Sequence, residues 1–70
     1  METIPITDSS WITQIAYDKK TGKMQVTFKP GKTFQYEGVS PELWDGFKNA
    51  GSKGQYFHAN FKGTFEGTEV

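Results

Sequence analysis

No cysteine occurs in the seventy residues, which excludes a disulfide framework and any thiolate metal site. Arginine is absent as well, and eight lysines meet eight Asp and Glu for a formal charge of zero. A neutral chain has no strong general field to draw it onto a polyanion or a membrane, so any anion it binds is held by a local arrangement. No apolar run approaches the roughly 18 to 20 residues of a membrane span. Met1-Glu2-Thr3 has neither the basic nor the apolar region of a secretory signal, and the expectation is a soluble cytoplasmic protein without membrane contact. His58 is the only histidine. A nucleophilic or general-base site would need it paired with a hydroxyl nucleophile and an orienting acid, and no spacing signals that set, a zinc site or a calcium loop. No catalytic residue, metal or cofactor is expected, and the chain reads as non-enzymatic.

What the chain has in quantity is aromatic area: two Trp, three Tyr and six Phe. A chain this short forms one domain, here residues 1–70, and buries only about 60% of the surface its unfolded form exposes. Dense rings stand in for the missing covalent staples. A homo-oligomer is expected on the same ground, since spare aromatics such as Trp11 or a sheet edge gain from burial against a second copy.

Residues 1–10 carry Pro5 and a polar Thr-Asp-Ser-Ser cluster, and read as an extended lead-in able to add an edge strand. Three strands follow. Thr13 to Tyr17 sets Ile15 and Tyr17 on one face; Lys23 to Phe28 alternates Met24, Val26 and Phe28 against Lys23, Gln25 and Thr27; Thr33 to Glu37 turns Phe34 and Tyr36 inward. Their connections, around Gly22 and at Lys29-Pro30-Gly31-Lys32, are too short for a parallel crossover, so the strands run antiparallel. Pro30-Gly31 suits a type II turn. The period then changes to helical. Ser40 caps a helix with Pro41 at its first position and Glu42 in its positive first turn. Leu43, Trp44, Phe47 and Ala50 form its apolar stripe, and Gly51 is expected to end it. Ser52 caps a second short helix from about Lys53 to Asn60, with Tyr56, Phe57 and Phe61 at helical spacing. Residues 62–67 suggest a turn and a short final strand. The fold class is therefore α+β in β-β-β-α-α order: a small antiparallel sheet of three strands, four with that last one, and two helices packed on its apolar face.

Ser9-Ser10 before Ile12, Ile15-x-Tyr17-Asp18, Phe34-Gln35-Tyr36, Val39-x-Pro41 and Gly51-Ser52-Lys53-Gly54-x-Tyr56-Phe57 together resemble the KTSC domain family over about Ile4 to Phe65. The family's central Tyr-x-Tyr motif here begins with Phe34, which keeps the ring and loses the hydroxyl. Such domains stand at the C-terminus of some lysyl-tRNA synthetases and alone in bacterial and phage proteins, so the resemblance implies RNA binding. Members often carry arginine where this chain has Gln55, Lys62 and Thr64.

The residues themselves point to a smaller ligand. Ser52-Lys53-Gly54 opens a helix whose free N–H groups, added lysine charge and accessible backbone suit a phosphate, although the run does not fit G-x-x-x-x-G-K-[ST]. His58 lies one turn on, and Trp11, Tyr36 and Tyr56 are candidates to stack on a base. Lys32 belongs to the lysines clustered at the hairpin turns. The expected ligand-binding set is Trp11, Lys32, Tyr36, Ser52, Lys53, Gly54, Tyr56 and His58. The expected ligand is compact and phosphate-bearing, a nucleotide or a cyclic oligonucleotide signal; in a phage setting the module would sequester an immune signal. Single-stranded RNA or tRNA binding is the alternative, and a protein interaction or oligomerisation module is the third reading.

Overall fold

The computed structural model describes all seventy residues. Its elements are β1 (Glu2–Pro5), β2 (Ile12–Asp18), β3 (Lys23–Phe28), β4 (Lys32–Tyr36), α1 (Pro41–Lys48), α2 (Lys53–Asn60) and β5 (Thr68–Glu69). The α+β class, the antiparallel pairing and the two helices agree with the sequence reading. The strand number does not: one sheet holds five strands in the order β1-β2-β3-β4-β5. Its outer strands are too short to show a period. β1 runs beside β2 from Glu2 opposite Tyr17 to Pro5 opposite Gln14, and Pro5, which has no N–H to give, sits at an edge where none is needed. Distant contacts hold this strand in place. Glu2 accepts a hydrogen bond from the Trp44 indole at 3.0 Å and its other oxygen lies 3.6 Å from Lys48. The final strand lies beyond residues 62–67; that stretch is a turn with a single bridge between Lys62 and Phe65, and β5 pairs Thr68 and Glu69 with Gln35 and Phe34.

A bulge in β2 sets which residues face the core. Ile12 stands opposite Phe28 and Gln14 opposite Thr27, so Thr13 is the extra residue and Ile12 joins Ile15 and Tyr17 on the inner face. With Met24, Val26 and Tyr36 they make the buried side of the sheet. The outer side is polar. Thr3, Ala16, Gln25 and Gln35 cross it in one row, with Gln25 donating to Gln35 at 3.1 Å and the Thr27 and Thr33 hydroxyls 3.0 Å apart.

Helix α1 starts as its cap requires, Ser40 Oγ accepting from Leu43 N at 3.2 Å with Pro41 in the first turn. It stops sooner than expected, since the C-cap is Asn49, in a right-handed conformation, and Gly51 does not take a positive φ. The β3–β4 turn also differs: Lys29–Pro30 is cis, which is not a type II turn. Both helices lie on the inner face. Phe47 and Phe61 are fully buried, with ring centroids 5.2 Å apart, and Phe47 also stacks on Tyr56 at 5.6 Å. No helix is long and apolar enough to cross a membrane.

Phe47→Ala removes the ring that joins α1 to α2 and is expected to cost about 3 to 5 kcal/mol, read as a large drop in melting temperature. Tyr17 supplies a second test. Its hydroxyl donates to the Val39 carbonyl at 2.7 Å in a buried site, and burial first, then the carboxylates of Glu42, Asp18 and Asp45, push its pKa above the usual tyrosine value. The folded chain thus holds this proton more tightly than the unfolded chain. Its stabilising effect is complete below about pH 10 and is lost as pH rises through the raised value. Denaturant midpoints measured across alkaline pH should fall in the parent and fall less in Tyr17→Phe.

Candidate functional site

The lead-in is shaped by Ser9, whose Oγ accepts from Trp11 N at 3.3 Å and Ile12 N at 3.1 Å. Just beyond the paired ends of β2 and β3, Lys29 N donates to the Trp11 carbonyl at 2.9 Å. So pinned, the Trp11 ring stacks on Phe28 at 5.5 Å and 16°, and meets Phe57 edge-on at 5.8 Å. It remains 39% exposed. On the other side stands the start of α2, where Ser52 Oγ accepts from Gln55 N at 3.3 Å. Gly54 lies directly against the indole, for a Cβ there would fall 2.5 Å from Trp11 Nε1. The glycine therefore admits a tryptophan of this chain, where the sequence suggested a ligand approaching the backbone.

Between these two segments is a hollow of about 530 Å3. Trp11, Ser52, Gly54 and His58, all expected at the site, line it together with Asp8, Ser9, Ser10 and Gln55. The Ser10, Gln55 and His58 side chains make no hydrogen bond within the chain, since only the Oγ atoms of Ser9 and Ser52 are engaged there. Trp11 also walls a second concavity of about 320 Å3, a groove lined by aromatic rings that include Tyr36, Phe34 and Phe65, with Lys62 as its single charged residue.

The remaining expected residues lie elsewhere. Lys53 turns back, its ammonium donating to the Ala50 carbonyl at 2.8 Å. Tyr56 faces α1, where its hydroxyl donates to the Leu43 carbonyl at 3.1 Å and its ring fills the space that a Cβ on Gly46 would take. Lys32 is exposed at the start of β4 opposite Phe28 and lines neither concavity. Sequence reasoning missed Asp8, Gln55, Lys62 and Phe65 as lining residues. They come from turns and a helix face whose spacing carries no signal, whereas Ser9-Ser10 did stand in the motif of the family resemblance.

The largest concavity, about 640 Å3, lies at the other end of the sheet between Lys19-Lys20 and α1. Its wall is occupied by its own ion pairs, Lys48 lying 3.6 Å from Glu2 and 3.4 Å from Asp45. No group of three or more His, Asp or Glu residues comes together to hold a metal ion.

Gly54→Ala places a methyl where the indole stands. Because that indole is held between Phe28 and Phe57, the substitution should cost about 1 to 3 kcal/mol and shift the tryptophan emission and near-UV dichroism. Gly51→Ala, whose Cβ would meet nothing within 4 Å, should leave both unchanged.

Comparison with known proteins places these features. The KTSC domain family matches residues 8–65, a span that takes in β2 through α2 and stops short of both outer strands. The chain is 36% identical over 59 residues to a lysine–tRNA ligase from Nostoc punctiforme, covering 84% of this chain and 10% of that protein. A lysine–tRNA ligase from Trichormus variabilis is 34% identical with the same coverage. The chain thus spans about a tenth of the length of these curated relatives. A crystal structure of a KTSC domain protein from Yersinia pestis superimposes with a TM-score of 0.89 at 33% identity, over 99% of this chain and 96% of the other. With the match running from the lead-in serines to Phe65 and the fold shared almost end to end, the chain belongs to the KTSC domain family.

Proposed function

We propose that the chain is a non-catalytic binding module for a compact phosphate-bearing ligand of nucleotide type, held in the hollow between the lead-in and the start of α2. One observation carries this reading: Ser10, Gln55 and His58, from opposite ends of the sequence, turn unengaged polar side chains into one space beside the half-exposed Trp11. Its volume of about 530 Å3 lies within the range of small-molecule sites. Hydroxyl, amide and imidazole groups suit phosphate oxygens, and the first turn of α2 adds its partial positive charge. Asp8, the one acid in the lining, accepts hydrogen bonds and repels a bare phosphate, which favours a ligand with sugar hydroxyls beside its phosphate. Lys53 adds its charge only at a distance, because its ammonium is held on Ala50. Nothing in the lining pairs a nucleophile with an oriented base, so the outcome of binding is retention of the ligand.

Single-stranded RNA or tRNA is the second reading, favoured by the two lysine–tRNA ligases among the relatives. Against a long phosphodiester stands the arrangement of lysines. Lys19 and Lys20 sit at the β2–β3 turn, and Lys29 and Lys32 at the β3–β4 turn, which are opposite ends of the sheet. The affinity of a polyanion grows with the number of phosphates neutralised along its path, and here no continuous basic stripe joins the two ends.

Calorimetry with adenosine monophosphate, a cyclic dinucleotide and a short oligo-RNA separates the readings. A nucleotide should bind with a shallow salt dependence, since it carries few phosphates. His58→Ala should weaken binding by about 1.5 to 3 kcal/mol, with no change in melting temperature since His58 is exposed. A steep salt slope seen only with RNA would favour the second reading. Nucleotide affinity unchanged in His58→Ala would remove the first.

A further inference from the structure

The aromatic groove beyond Trp11 has a chemistry of its own. We propose that it binds a flat heteroaromatic ring carrying a hydrogen-bond acceptor, and that its occupant is the base of a nucleotide; only this naming of the ring rests on the reading above.

Tyr36 carries the argument. Of the three tyrosines, Tyr17 donates its hydroxyl to Val39 and Tyr56 donates to Leu43, while the Tyr36 hydroxyl has no partner within the chain. Tyr36 is only 6% exposed, yet no buried side-chain polar atom is left unpaired. Its hydroxyl therefore opens onto the groove that the residue lines. The phenol is a donor at neutral pH, as any tyrosine is, and burial raises its pKa further. The backbone of Gly67 runs beside it, and a Cβ at that position would fall 2.9 Å from the hydroxyl oxygen and 2.7 Å from the ring. The C-terminal segment thus flanks the hydroxyl without placing a side chain over it.

The rest of the lining selects the occupant. The rings of Phe34, Phe65 and Trp11 offer apolar and π surface around about 320 Å3, which is at the small end of ligand sites and suits one ring system. An aliphatic occupant would strand the Tyr36 hydroxyl without water or partner, at the cost of a desolvated polar group. A cation, the other common guest of aromatic walls, is opposed by Lys62, the only charged residue in the lining and one that forms no ion pair. A neutral or electron-rich planar ring with an acceptor meets all three conditions: stacking, a hydrogen bond from Tyr36, and a nearby positive charge. No carboxylate or amide side chain lines the groove, so the ring is held by its face and one acceptor. Purines and pyrimidines should compete with little discrimination.

Titration of isotope-labelled protein by nuclear magnetic resonance, with the four ribonucleosides and separately with inorganic phosphate, tests this. Nucleosides, which have no phosphate, should shift the amides of Gly63 and Gly67 and the indole N–H of Trp11. Tyr36→Phe should bind them about two- to tenfold more weakly, the range for one neutral hydrogen bond, with an unchanged melting temperature because that hydroxyl supports nothing in the fold. Groove shifts from nucleosides with no response to phosphate would uphold this proposal and count against the phosphate-binding hollow. Phosphate shifts at Ser52, Gln55 and His58 with no nucleoside reaching the groove at millimolar concentration would overturn it and leave the hollow standing. Tyr36→Phe binding nucleosides as tightly as the parent would overturn it as well.

Discussion

The ring of Phe57 stands between the sheet and the helices, 5.3 Å from Phe28 and 5.6 Å from Tyr36 on one side, 5.9 Å from Phe61 and 6.5 Å from Phe47 on the other. Trp11 adds its indole at 5.8 Å. Strand, helix and lead-in are thus joined by aromatic contacts around one residue of α2. In a domain without cysteine, the large area each ring buries and the edge-to-face and stacked pairs it forms are a main source of cohesion. The fit is close enough that three glycines lie directly against rings: Gly54 on Trp11, Gly46 on Tyr56 and Gly67 on Tyr36, where a single added carbon would overlap. That is the behaviour of an interior packed to crystal-like density, in which one carbon is felt.

The candidate binding surfaces are the rim of this same cluster. Trp11 gives one face to Phe28 and contacts Phe57 by its edge, and the rest of its surface separates a polar hollow from an aromatic groove. Stability and the proposed recognition therefore draw on the same residues, and the groups proposed to contact a ligand are ones the fold leaves unengaged. Tyr17 and Tyr56 donate their hydroxyls to backbone carbonyls, and Tyr36 does not. Lys53 closes the end of the α1–α2 connection through Ala50 and Lys32 lines neither the hollow nor the groove, whereas His58 lines the hollow and Lys62 the groove.

Wherever a period of two or of 3.6 residues ran long enough, local sequence was sufficient. The alternation Met24, Val26, Phe28 specified β3, and Ser40-Pro41-Glu42 and Ser52 marked both helix starts, because capping and binary patterning act over a few neighbouring residues. β1 was legible only as an extended lead-in able to add an edge strand, and β5 only as a short final strand placed a few residues early, as four and two residues are too few to carry a period. β1 is held by the Glu2 contacts to Trp44 and Lys48, a pairing across most of the chain that no local pattern encodes. The bulge at Thr13 was likewise invisible, since a one-residue insertion in one strand is defined only against its partner.

By itself, then, the sequence determined the α+β class, the three central strands, both helices and a neutral, cysteine-free chain dependent on its rings, all consequences of composition and short-range periodicity. Tertiary structure alone decided which polar groups are free. Ser52-Lys53-Gly54 looked like a phosphate corner, yet packing gives Gly54 to an indole and Lys53 to a carbonyl. Tyr36 read both as an inward-facing ring and as a candidate to stack on a base, and packing leaves its hydroxyl the one without a partner among the three tyrosines. Whether a side chain is available to a ligand depends on what distant residues already take from it, and that is a property of the folded neighbourhood.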